Sequence, residues 1–202
     1  MDLAASGQIV GILLAAGRGR RFDSSGKQSK LLQLLPGGES ILATAAKNLS
    51  TVLPSAVVCR ADTAAAAAHM AAHLQYGKYG GTLLHCPNAD DGMAATLVYG
   101  LQQTATAAGW VIALADMPFV QVATILALKT ALEQGADIAV PVCNQRRGNP
   151  VAFSHRHLSR LLALRGDQGA RALLQHFPVA EVVVDDRGVL QDIDTVADIP
   201  HS

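Results

Sequence analysis

The sequence predicts a three-layer α/β fold built on a mostly parallel sheet. Three observations predict it. Short apolar runs of strand length alternate along the chain with longer segments of helical periodicity. Half the residues are hydrophobic but only 4% are aromatic, so the core is drawn from Leu, Val, Ile and Ala. Residues able to do chemistry cluster just after the first, fourth and last strand-like runs. In a parallel sheet the ligand lies outside the carboxyl ends of the strands.

The elements run in this order. Gln8 to Ala15 is the first strand. Ser40 caps a helix to Leu49, because its hydroxyl suits the free N–H groups of a first turn. Ala56 to Cys59 is a short strand, and Asp62 caps an alanine-rich helix to Leu74. Thr82 to Cys86 is a third strand. Gly92 to Ala107 is helical, with Met93, Leu97 and Leu101 on one face. Trp110 to Ala115 is a fourth strand, followed by a helix from Gln121 to Gln134. Ile138 to Val142 and Val151 to Phe153 are strands, with helices after them at His155 to Leu164 and Gly169 to His176. Val179 to Val184 closes the sheet.

At 202 residues the chain suits one domain, 1–202, with a sizeable core. Sixteen basic residues balance sixteen acidic ones, which argues against a general nucleic-acid surface. Cys59, Cys86 and Cys143 make no zinc spacing and lie in or beside apolar runs. They read as buried free thiols, which points to the reducing cytoplasm. No apolar segment reaches membrane-spanning length, and no basic region precedes the first apolar run.

The chemistry starts in the run Val10-Gly11-Ile12-Leu13-Leu14-Ala15-Ala16-Gly17-Arg18-Gly19-Arg20-Arg21-Phe22. A buried strand breaks into a small-residue turn with three arginines. Glycine lets the backbone approach a ligand closely, and guanidinium forks onto phosphate. The dinucleotide fingerprint fails because Phe22 stands where its third glycine belongs. The P-loop fails because Arg21 stands five places before Gly26, and Gln28 comes after Lys27. Either Lys30 or Lys27 can meet a phosphate at the end of this loop; a solvated surface charge is the other reading of each.

Asp116 comes directly after the fourth strand and precedes Met117-Pro118-Phe119. A carboxylate there suits Mg2+, which commonly takes one or two carboxylates plus substrate phosphates. Capping the next helix is the alternative, and Pro118 favours it. Asp192-Ile193-Asp194-Thr195 offers a second carboxylate, Asp194 first and Asp192 as fallback, with a helix cap at Asp194 or Thr195 as the alternative. Asp185 and Asp186 precede Gly188 and read as turn residues. Asp167 reads as an N-cap. His69 and His73, four apart, read as a solvated helical face, and His155 and His157 as residues at a helix start.

The opening Leu-Ala-Ala-Gly-x-Gly-x-Arg-Phe, with Lys30-Leu31-Leu32 after it, resembles the nucleotidyltransferases that load molybdopterin with a nucleotide. So do four later blocks: Asp91-Gly92-Met93-Ala94-Ala95-Thr96-Leu97, Leu114-Ala115-Asp116-Met117-Pro118-Phe119-Val120, Arg147-Gly148-Asn149-Pro150-Val151 with Gly166-Asp167-Gln168-Gly169-Ala170-Arg171, and the Asp192–Thr195 segment. The resemblance runs from Leu14 to Asp198 and is closest to the molybdenum cofactor cytidylyltransferase (MocA-like) branch of the MobA-like NTP transferases. The loop from Asp23 to Gln28 is longer than the family pattern, Ala94 and Ala95 replace common hydroxyl residues, and Asn149 stands where relatives often have His.

The resemblance implies a Rossmann-like fold of the nucleotide-diphospho-sugar transferase type. It implies a Mg2+-dependent enzyme that transfers CMP from CTP to the terminal phosphate of molybdopterin and releases pyrophosphate. Leu14, Ala15, Ala16, Gly17, Gly19, Arg21, Lys30, Gly92, Met93 and Asp116 then bind the nucleotide. Arg21, Lys30 and Asp116 carry catalysis, and Asp116 with Asp194 holds the metal. The partners implied are a nucleoside triphosphate, a molybdopterin-type acceptor and a molybdoenzyme that receives the product. A guanylyl or sugar-phosphate transferase of the same fold is the alternative enzyme. A non-catalytic protein that binds nucleotide or cofactor is the alternative outside enzymes.

Overall fold

The structure, a computed structural model, describes residues 7–17, 19, 21–23, 29–60, 81–166 and 170–200. Among these, eight strands form one sheet: β1 (Ile9–Ala15), β2 (Ser55–Arg60), β3 (Gly81–Cys86), β4 (Gly109–Leu114), β5 (Ile138–Cys143), β6 (Arg146–Arg147), β7 (Val151–Ser154) and β8 (Ala180–Val183). The order is β3-β2-β1-β4-β7-β5-β6, with β8 paired to β5. β1 pairs in parallel with β2 and β4, β2 with β3, and β5 with β8. β7 runs antiparallel between β4 and β5, and the two-residue β6 folds back on β5. The sheet is mostly parallel, as the alternating pattern requires.

Helices cover both faces. α1 (Ile41–Val52) and α3 (Val122–Glu133) pack on one face, around Ile9, Leu13, Val57 and Val111. α2 (Met93–Gln103) and α4 (Leu158–Leu162) pack on the other, around Val10, Ile12, Val58, Trp110 and Phe153. β1 feeds alternate residues to the two cores because successive side chains of a strand point to opposite faces. At Gly11 a Cβ would meet the Leu49 side chain at 2.7 Å, so α1 lies directly on the β1 backbone. Trp110 is fully buried, and its indole N–H donates to the Thr104 hydroxyl at 3.0 Å.

Ser40 caps α1 as expected, its hydroxyl accepting from the N–H of Ala43 at 3.2 Å. Three expected helices come out shorter. α2 stops at Gln103 because the Thr104 hydroxyl turns back onto the Gly100 carbonyl at 2.9 Å. The span from His155 divides into a 3-10 turn, His155–His157, and the short α4. Ala170–Gln175 is 3-10, and Pro178 stops any extension. Met93 is 46% exposed and does not join the core stripe of Leu97 and Leu101, because it opens the helix beyond the edge of the core. The helix from Asp62 to Leu74, with His69 and His73, lies outside the described residues. Cys59, Cys86 and Cys143 are buried and form no disulfide, and burial pushes the Cys86 thiol up. Among the described residues no helix is long and apolar enough to cross a membrane.

His157, read as a residue at a helix start, is buried against Phe153 and Phe177. Neither ring nitrogen has a hydrogen-bond partner among the described residues. Burial lowers its pKa; the Asp137 charge opposes this, and Arg160 and Arg156 add to it. The unfolded chain therefore takes up this proton first as pH falls through the ordinary histidine value of about 6.5, and folding stability drops until the buried ring also protonates. His157→Leu is expected to flatten the loss of stability between about pH 7 and pH 5. Urea melts of both proteins at the two pH values check this; parallel losses would show that His157 does not set the acid limb.

Candidate active site

A cleft of about 420 Å³ opens at the carboxyl ends of β1, β2 and β4. Leu14, Ala16, Gly17 and Gly19 line one side of it, and Lys30, Leu31, Leu114 and Asp116 line another. Arg60, Ala89, Asp90, Gly92, Met93 and Thr96 complete the wall at the start of α2.

The loop after β1 is shaped by glycine. Gly19 has φ +60°, and its carbonyl accepts from the N–H groups of Phe22 and Asp23 at 2.9 and 3.1 Å. Among the described residues, its chain neighbours aside, a Cβ at Gly17 would meet nothing within 4 Å. The space beside that backbone belongs to the cleft, and an approaching ligand can reach the main chain there. Gly92, with φ 105°, stands as the N-cap of α2. The Ala94 N–H is already given to the Gly166 carbonyl at 3.0 Å.

Lys30 begins a 3-10 turn, Lys30–Leu32, anchored by the buried Leu31. Its side chain is 10% exposed. The ammonium donates to Asp116 Oδ2 at 2.9 Å and to Asp194 Oδ1 at 3.2 Å. The other oxygen of Asp194 takes Arg21 Nη1 at 2.8 Å, and that arginine is 79% exposed. Two acids and two bases from four separated segments thus meet at the mouth of the cleft.

Asp116 reaches this place because β4 ends just before it. The Ala115 N–H donates to the Leu14 carbonyl at 3.1 Å, keeping the exit of β4 in register with β1. The loop behind it is held by Asn48, whose Nδ2 donates to the Pro118 and Val120 carbonyls at 3.1 Å each. Asp116 does not cap α3: the N-cap position is Gln121, and its N–H donates to Asp186. Asp194 is placed by its neighbour, since the buried Ile193 gives its N–H to the Asp116 carbonyl at 2.9 Å. Thr195 forms a capping box with Asp198, and hydrogen bonds from Thr195 and Asp194 hold the Asp198 carboxyl below its usual range. That leaves the Asp194 side chain to Lys30 and Arg21. Asp192 lies in a separate depression with Phe119, Gln191 and Asp198.

Of the expected nucleotide-site residues, Leu14, Ala16, Gly17, Gly19, Lys30, Gly92, Met93 and Asp116 line the one cleft. Arg21 joins through Asp194, whereas the Ala15 side chain packs into the core. Arg18, Arg20, Lys27 and the segment from Asp167 to Gly169 lie outside the described residues. Arg147 pairs with Glu181 at 2.7 Å, and Asn149 Nδ2 meets the Met117 sulfur at 3.5 Å.

Sequence reasoning missed three features. Arg60, at the end of β2, pairs with Asp90 across the cleft wall, and the rule that placed Asp116 also covers it. Thr96 brings a hydroxyl to the wall where Ala94 and Ala95 bring none. Asp186, read as a turn residue, is buried and accepts from the start of α3; nothing in its local sequence signals that distant partner.

The two carboxylates fit a divalent ion that arrives with a phosphate ligand. Among the described residues no three His, Cys, Asp or Glu side chains gather as a metal group. Two carboxylates with oxygens completed by substrate and water suit Mg2+ or Mn2+.

The sequence profile of the MobA-like NTP transferase domain matches residues 11–182. The chain belongs to that family. The structure is similar to crystal structures of Rv0371c from Mycobacterium tuberculosis, one at 27% identity with a TM-score of 0.79, covering 96% of each chain. A complex of that protein with manganese is 26% identical, with a TM-score of 0.71 and 95% of each chain covered. A molybdopterin-guanine dinucleotide biosynthesis protein A from Archaeoglobus fulgidus, 18% identical at TM-score 0.67 and covering 94% of each chain, shares the fold. Comparison with curated proteins finds no significant match. This MobA-like chain is a nucleotidyltransferase with the Rossmann-like fold of that class.

Asp116→Asn is expected to leave the fold intact and to lower divalent-metal-dependent activity on the order of a hundredfold or more. Near-wild-type turnover in the folded variant would sink the metal assignment. The two basic residues are expected to differ in stability. Removing Lys30 leaves Asp116 and Asp194 facing each other, so Lys30→Ala should lose about 1–3 kcal/mol as well as activity. Arg21→Ala should lose activity while its melting temperature stays near wild type, because an exposed ion pair contributes little. Equal melting temperatures in the two variants would contradict the bridging role of Lys30.

Proposed function

We propose that this chain transfers CMP from CTP to the terminal phosphate of molybdopterin, or of its molybdenum-loaded form. Residues 1–202 act as one domain. The observation that carries the reading is the meeting of Lys30, Arg21, Asp116 and Asp194 at the mouth of a glycine-walled cleft.

A phosphate oxygen of the acceptor attacks the α-phosphorus of CTP in line. The bond from that phosphorus to the bridging oxygen breaks, and pyrophosphate leaves with the electron pair. The loop at Gly17 and Gly19 lets the nucleotide lie against the main chain. Lys30 and Arg21 orient the phosphates and neutralise charge that spreads over them in the transition state. Asp116 and Asp194 hold Mg2+, which when bound withdraws charge from the phosphate oxygens. The manganese complex of the M. tuberculosis relative supports a divalent ion here. The protein does little covalent work; its contribution is position and charge.

Ala16 supports CTP. It lines the cleft, and the guanylyl branch usually carries glycine there. The added methyl narrows the space for a purine. One methyl group decides about 1–3 kcal/mol, so the preference amounts to roughly tenfold or somewhat more. The Arg147-Gly148-Asn149-Pro150 and Gly166–Arg171 blocks, which resemble the cytidylyl branch, support it further. The molybdopterin-type acceptor rests on the same resemblance. Buried cysteines that form no disulfide support a reducing compartment, the cytoplasm. A molybdoenzyme that takes the product is the partner this reading implies.

The expected outcome is release of pyrophosphate from CTP with molybdopterin and Mg2+, and a higher kcat/KM with CTP than with GTP. A preference for GTP moves the chain to the guanylyl branch. Nucleotide binding without pyrophosphate release overturns the reading of CTP and molybdopterin as the substrate pair.

A further inference from the structure

Asp186 is buried to 1% exposure, and both of its carboxylate oxygens are in use. Oδ2 accepts from the Gln121 N–H at 2.9 Å and from the Thr124 hydroxyl at 2.6 Å. Oδ1 accepts from the Gly188 N–H at 2.9 Å. One oxygen faces the start of α3, and the other faces the C-terminal strap, residues 186–194. A buried carboxylate is stable only when it is hydrogen-bonded in this way.

The strap runs from Asp186 to the site. Its 3-10 turn, Arg187–Leu190, presses Gly188 against the Phe119 backbone so closely that no Cβ fits. The Val189 carbonyl accepts from the Asn149 N–H at 2.9 Å. Ile193 donates to the Asp116 carbonyl, and Asp194 is the next residue. We propose that Asp186 is a positioning residue of the Asp116–Asp194 pair. It pins the strap to the helix beyond the Asp116 loop, and so fixes where the Asp194 carboxylate stands relative to Asp116. The proposal rests on the reading that these two carboxylates hold a divalent ion.

The chemistry supplies a selective probe. The Gln121 and Gly188 N–H groups that face Asp186 can only donate, the Thr124 hydroxyl can also accept, and an asparagine of the same shape has only one acceptor oxygen. Asp186→Asn must therefore turn its amide N–H groups toward either the start of α3 or Gly188. Either way one backbone N–H, that of Gln121 or that of Gly188, loses its acceptor and the tie between helix and strap is weakened. Gly188→Ala displaces the strap directly, by placing a methyl group against the Phe119 backbone. Asp185, exposed and adjacent, controls for charge.

The experiment titrates the intact protein with Mn2+ by calorimetry, with and without inorganic triphosphate, and records melting curves beside it. Asp186→Asn and Gly188→Ala are expected to weaken Mn2+ binding about tenfold, the scale of a lost outer-shell partner, while Asp185→Asn binds like wild type. An Asp186→Asn protein that melts lower but binds Mn2+ like wild type reduces Asp186 to a helix cap and overturns the proposal. Should Asp186→Asn not fold, Gly188→Ala decides alone, and unchanged Mn2+ affinity there overturns it equally. A wild-type protein that binds no Mn2+ under either condition overturns the metal reading, and this proposal with it.

Discussion

Two carboxylates share one ammonium, and the rest of the molecule is arranged so that they can. Asp116 leaves the sheet at the end of β4, and Asp194 arrives on the far C-terminal strap. Like charges at such proximity repel unless a cation lies between them. Lys30 serves here, carried on a turn whose Leu31 is sunk in the core. The backbone bond from Ile193 to Asp116 sets the register. A shift of the strap would carry Asp194 away from the cleft. The parallel order of β2, β1 and β4 brings the β1 loop and Asp116 to the same edge, so the sheet and the site are one constraint.

The sheet is legible in the sequence because apolar runs of strand length have one stable use when helical segments separate them. The residues just past β1 and β4 mark those two strands further: glycines and arginines after one, a lone aspartate after the other. Element ends are less legible. Thr104 ends α2 with its own hydroxyl, a local event that apolar periodicity does not register. The division at His157 is tertiary, set by Phe153 and Phe177 on either side of a buried ring.

The site is legible where chemistry is local and obscure where it is not. A strand end with a carboxylate directly after it is visible in a line of letters, and Asp116 is of that kind. The choice of Asp194 over Asp192 turns on one hydrogen bond from Ile193, a residue that reads only as apolar. Arg60 is open to the same strand-end rule, but a single arginine closing a strand looks like any solvated charge until Asp90 is seen opposite it. Asp186 shows the limit most clearly. Its neighbours, Asp185 and the Arg187-Gly188 pair, spell a turn, and the Gly188 N–H does donate to it there, yet its other two partners lie at the start of α3.

Charge balance links these parts to the chemistry. Arg21, Lys30, Asp116 and Asp194 sum to zero, and Arg60 with Asp90 adds nothing net. A nucleoside triphosphate brings several negative charges to these mutually paired groups. Neither base can serve phosphate fully while it also neutralises a carboxylate, since each guanidinium or ammonium has a fixed set of donors. On the proposed reading, a divalent ion entering with the phosphates would resolve the conflict: Asp116 and Asp194 would hold it, and Lys30 and Arg21 would be released to the nucleotide. Metal and nucleotide would then favour each other's binding, and by linkage the effect would be the same in both directions. The conflict itself arises from charges that the fold holds in place.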